Sequence, residues 1–176
     1  MCGTMNVQVE VWAVAADTRG IWLVNGGDAW LSAPIPQDSD PHFEVEIVLR
    51  RHALSADDVR MLHSTSWRAD GPHVILTYIA VVDRSGIVVT HWPQALPLGD
   101  ELLTVVGPPP TNPADAAPLP RYIDVLAHAV RHLRFLQDHD ATASAAMPPT
   151  LAEHLTRLAP ALAGLYSTKH TEHTEP

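Results

Sequence analysis

The chain has 176 residues, 46% of them hydrophobic and 18% charged, the balance of one soluble globular domain able to bury a real core. Its formal net charge of −9, with no Lys/Arg run, excludes a nucleic-acid polymer held by phosphate neutralisation and docking on anionic lipid. No apolar run reaches the ~20 residues of a membrane span, the N-terminus lacks a signal-peptide pattern, and Cys2 stands alone, so a cytoplasmic protein without disulfides is expected.

Residues 1–4 read as an unstructured leader. Val7–Ala15 alternates and is rich in β-branched residues, as a strand should be. Asp17-Thr18-Arg19-Gly20 is a turn into a second strand, Ile21–Asn25, giving a hairpin. Gly26-Gly27-Asp28 interrupts before Ala29-Trp30-Leu31, and Pro34, Pro36 and Pro41 make Ser32–Pro41 a loop. His42–Ala53 follows with Phe43, Ile47 and Leu54 near helical spacing, although FEVEIVL also alternates as a strand would.

Asp57–His63 leads to Ser64-Thr65-Ser66-Trp67, and Ala69-Asp70-Gly71-Pro72 turns the chain into His73–Val82, the strongest buried strand of the sequence. Asp83-Arg84-Ser85-Gly86 turns again into Ile87–His91, and Leu102–Val106 is another short strand. Five prolines between Val106 and Leu119 form a semi-rigid connector. Arg121–Asp138 is an amphipathic helix through Ile123, Leu126, Val130 and Leu133. Ala141–Pro149 links it to a second helix, Leu151–Tyr166, with Thr150 as N-cap and Glu153 completing a capping box. From Thr168 onward the chain reads as a polar tail.

Asp38–Leu54, set between the hairpin with Trp30 and the strands in LHSTSWRADGPHVILTYIAVV, resembles the Nudix box of Nudix hydrolases, G-x5-E-x7-R-E-U-x-E-E-x-G-U. Anchored on Ala53-Leu54, the resemblance covers roughly Val7–Val106 and favours helix over strand for 42–53. It implies an α+β fold: a Nudix-like mixed β-sheet with one helix after a loop, plus a C-terminal helical pair packed on the core. The expected organisation is a core at 1–106, a Pro-rich connector at 107–119, a helical pair at 120–167 and a tail at 168–176, all within one domain.

Compared with the family pattern, Ser32 stands at the first glycine, Asp38 at the first glutamate, Glu46 at the arginine, and Ile47 at the glutamate beside it. Arg50 and Arg51 stand where the paired metal-binding glutamates belong, and Ala53 replaces the last glycine. Mg²⁺ needs oxygen ligands, whereas a guanidinium offers donors only. The resemblance therefore implies a protein that has lost metal-dependent diphosphate hydrolysis and binds a small anionic, nucleotide-like or otherwise phosphorylated ligand. Trp30, Arg50, Arg51 and Trp67 would hold it, because Arg grips phosphate without a metal.

Two alternatives stay open. One is an active hydrolase with Asp38, Glu44 and Glu46 in a nonstandard Mg²⁺ site; the other is a homodimer joined through the helical pair, without a small ligand. Outside the box, Asp124, His128 and His132 recur every fourth residue, with His154 the only evident donor from a neighbouring helix. Their pattern reads first as the polar flank of an amphipathic helix. Arg50 and Arg51 likewise read as solvated charges paired with Asp57 or Asp58, and Asp38 and Asp40 as an acidic cap on the helix N-terminus.

Overall fold

The structure, a computed structural model, describes residues 6–36, 39–84, 86–99 and 121–161. The connector, the expected strand Leu102–Val106, Asp38 and the C-terminal tail lie outside the described residues. Among the described residues six strands form one mixed sheet: β1 (Asn6–Asp17), β2 (Gly20–Leu23), β3 (Trp30–Leu31), β4 (Val59–Asp70), β5 (His73–Val82) and β6 (Leu96–Leu98). Their spatial order is β4-β5-β1-β2-β6, with β3 beside the first half of β1. Only β1 and β5 run parallel, from Asn6 against His73 to Val14 against Val81.

Strand alternation divides the core in two. Trp12 and Val14 of β1 point to one face with Ile79 and Val81, under α3 (Tyr122–His139), α4 (Ala141–Ala146) and α5 (Pro149–Leu155). Val9, Val11, Ala13 and Ala15 point to the other, under α1 (Pro41–Arg51) and the short α2 (Val88–His91). The result is an α+β sandwich with helices on both faces of a mixed sheet. No helix among the described residues is long and apolar enough to cross a membrane.

The 42–53 segment is helical. Asp40 caps it, its Oδ1 accepting from the His42 amide at 2.9 Å, and Pro41 occupies the first turn, where a missing N–H costs nothing. Val45, Val48 and Leu49 share one buried side, a helical spacing that the competing alternation could not produce. The predicted turns at Asp17–Gly20 and Ala69–Pro72 are present: Asp17 Oδ1 accepts from the Arg19 amide at 2.9 Å, and Gly71 has a φ of 57° between β4 and β5.

Several expectations are corrected. Ile87–His91 holds a helical turn: Val88 is its buried anchor, and its amide donates to Asp17 Oδ2 at 3.1 Å. β6 escaped notice because Pro97 removes a donor, a loss tolerable only in an edge strand. The 141–149 link contains α4, started by Asp140, whose Oδ1 accepts from the amides of Thr142 and Ala143. Thr150 lies within α5 after Pro148 and Pro149, so it neither caps the helix nor forms a capping box. α5 ends at Leu155 and gives way to turns at Thr156–Leu158; the remainder of the expected helix lies outside the described residues.

Candidate functional site

The C-terminus of α1 sets the geometry of the candidate site. The Leu54 amide donates to the Leu49 carbonyl at 3.0 Å, and the Ala53 amide donates to the Arg50 carbonyl at 3.1 Å. These two bonds make a Schellman cap, with Ala53 in its left-handed position at a φ of 59° and buried Leu54 against buried Leu49. The following loop is fixed by Asp58, whose Oδ2 accepts from the Ser55 amide and hydroxyl at 2.9 and 2.8 Å.

Arg84 ties this loop to the end of β5. Its Nε and Nη2 donate to Asp58 at 2.6 and 2.9 Å, and its Nη2 also reaches the Ala53 carbonyl at 3.2 Å. The Arg84 guanidinium holds the Asp58 carboxyl well below the usual carboxylate range, its hydrogen bonds outweighing burial. Asp58 is therefore taken by Arg84, and Arg50 turns instead to its own helix: Arg50 Nη2 lies 3.6 Å from Glu46 Oε2.

Between α1 and β4 this arrangement leaves an open cleft of about 440 Å³. One wall is the stripe His42, Glu46, Leu49 and Arg50, which recurs on one flank of α1. The opposite wall is the start of β4, with Val59, Met61 and Leu62 apolar and Arg60 charged. Arg60 leans on Asp83 at 3.5 Å, and both partners are substantially exposed. The cleft thus has an apolar lining, one carboxylate and two guanidiniums in solvent-exposed ion pairs, Arg50 also donating to the Glu46 carbonyl at 3.3 Å.

The predicted site residues are dispersed. Arg50 and Glu46 line the cleft. Arg51 is exposed outside it, and with burial, the larger influence, its charge lowers the pKa of His52. Trp30 is buried and stacked on His52, ring centroids 4.1 Å apart at 5°, so that indole face is already covered. Trp67 projects from edge strand β4, 70% exposed, and does not line the cleft. Glu44 is in the first turn of α1, also outside the cleft lining. Among the described residues no three His, Cys, Asp or Glu side chains are grouped to hold a metal.

The sequence reading missed His42 and Arg60. His42 carried a usable signal, one turn before Glu46 on the same helix; Arg60 carried none, because its pairing with α1 is tertiary. The spaced set on α3 is also rearranged. Asp124 is the N-terminal cap partner of Arg121, and His154 Nε2 lies 2.9 Å from the Asp17 carbonyl, so neither joins the histidines. His132 is buried, correcting the polar-flank reading: its face of α3 lies on β4, where His63 meets it. No family model, curated protein or solved structure matches this chain.

Proposed function

We propose that this chain is a Nudix-like binding module that takes a small phosphorylated, nucleotide-like ligand in the α1–β4 cleft without a metal ion. The observation that carries the reading is the placement of Arg50 and Arg60 on facing walls of one cleft with an apolar lining. Apolar side chains suit a ring, and guanidiniums suit phosphate oxygens, which they can grip through two parallel N–H bonds.

Magnitudes favour capture. Exposed ion pairs such as Arg50–Glu46 and Arg60–Asp83 contribute about 0–1 kcal/mol. A phosphate carries more charge than a carboxylate and accepts two parallel N–H bonds from one guanidinium, so an incoming phosphate can displace these weakly held carboxylates.

The family frame draws support from Ala53. It occupies the position of the box's last glycine and adopts the left-handed backbone for which glycine is ordinarily used. Loss of hydrolysis draws support from Glu46, whose carboxylate is paired with Arg50. Thermal denaturation with nucleoside diphosphates in excess chelator tests the reading. Stabilisation is expected in the wild type and should vanish in Arg50→Ala/Arg60→Ala. Metal-dependent phosphate release, or no stabilisation by any phosphate compound, would refute it.

A further inference from the structure

On the opposite face of the sheet, three imidazoles gather where α3 packs on β4. His63 comes from β4, and His128 and His132 lie one turn apart on α3. His63 Nε2 and His132 Nε2 are 3.2 Å apart, with ring centroids at 5.1 Å. His132 Nδ1 lies 3.3 Å from the Ala161 carbonyl oxygen. A carbonyl only accepts, so this contact places the proton on Nδ1 and makes His132 Nε2 the acceptor of the His63 Nε2–H, the proton that a metal ion would displace. The third ring, His128, has a buried Nε2 without a hydrogen-bond partner and stacks on His132 at 6.4 Å.

We propose that His63 and His132 are a chelating pair for a divalent transition metal of the zinc class, with His128 a further imidazole stacked beside them. Two imidazoles on one tetrahedral ion, each about 2.05 Å from it, stand with their nitrogens about 3.3 Å apart. The 3.2 Å separation meets that requirement. The backbone carbonyl on His132 Nδ1 supplies the outer hydrogen bond that fixes the tautomer and orientation of a ligating imidazole.

No third ligand among the described residues already converges with the pair. The remaining positions fall to water, to an exogenous anion, or to His128 after a turn of its side chain. An ion held there would join β4, α3 and, through Ala161, the end of the described chain; the Ala161 amide also donates to the Arg131 carbonyl at 3.1 Å. It would be independent of the phosphate cleft, which lies across the sheet.

Titration of the full chain with Zn²⁺ by calorimetry, and with Co²⁺ by its visible absorption, tests the pair. His170→Gln/His173→Gln serves as the background, so that the tail histidines do not contribute. One ion per chain with micromolar affinity and a Co²⁺ band of tetrahedral intensity are expected. His63→Gln, on the partly exposed strand, should weaken binding at least tenfold while keeping a cooperative melt. His132→Gln should do the same wherever it folds. No binding in the background protein, or binding unchanged by His63→Gln, overturns the proposal.

Discussion

Ala53 gives the sharpest stability test. The two hydrogen bonds from Ala53 and Leu54 to the last carbonyls of α1 require the left-handed conformation at position 53, and the φ of 59° meets it. That conformation sets the Cβ against the following carbonyl oxygen at about 1–2 kcal/mol for an L-residue. Glycine removes the clash, yet loses about 0.5–1 kcal/mol more conformational freedom on folding than alanine. The difference predicts that Ala53→Gly stabilises the protein by roughly 0.5–1 kcal/mol. For a chain of this length that is about 1–4 °C in midpoint. The side chain of Ala53 is exposed, so no packing loss offsets the gain. Thermal and urea melts of Ala53→Gly and Ala53→Val should move in opposite directions, because β-branching worsens the same clash. A glycine variant no more stable than wild type would refute the cap geometry.

Two further perturbations follow from buried polar groups. Glu10, 4% exposed on central strand β1, accepts from Trp12 Nε1 at 3.0 Å, Arg68 Nη1 at 2.9 Å and Thr77 Oγ1 at 3.1 Å. Arg68→Ala leaves that carboxylate buried without its cation and should cost about 3 kcal/mol in a urea melt; Glu10→Gln/Arg68→Leu, which removes the charge but keeps an acceptor for Trp12 and Thr77, should recover most of the loss. Recovery failing in the double variant would contradict the ion-pair account. The lowered pKa values of His63 and His128 mean that the unfolded chain binds more protons than the native one below about pH 6.5. Stability in the presence of chelator should therefore fall as pH drops from about 6.5 through the lowered native values. His63→Gln should flatten that limb, and an unchanged slope would exclude His63 as its source.

What could be read from the sequence was what local chemistry decides. The Asp17–Gly20 turn, the β-branched runs of β1 and β5, and the apolar stripe of α3 are each specified within about a dozen residues. Boundaries failed where two local signals competed. Pro97 hid β6, and Pro148-Pro149 moved the start of α5 ahead of Thr150, the residue with the better capping side chain. The candidate site was less legible still. Arg50 and Arg60 share a cleft only because β4 returns beside α1. His63 and His132, 69 residues apart, meet only because α3 crosses the strand that carries His63. Trp30 had the composition of a ligand platform, but the Schellman turn places His52 on its face.

The charge at the end of α1 bears on the proposal of a metal-free cleft. Arg50 and Arg51 occupy the last turn, where the negative end of the helix dipole favours cations by about 0.3–1 kcal/mol each. Two glutamates there would be opposed by that dipole and by each other, and a bound cation would have to offset both effects. The arginines are favoured at that helix end without a cation, and of the two Arg50 lines the cleft. Arg50→Glu/Arg51→Glu should accordingly lose about 1–2 kcal/mol in chelator, from the inverted charge at the helix end. Added Mg²⁺ or Mn²⁺ should return part of that loss in the double variant and do nothing for the wild type, because only the variant presents paired carboxylates. A double variant as stable as wild type would refute the dipole argument. One indifferent to metal would refute the alignment that sets Arg50 and Arg51 at the metal-binding positions of the box.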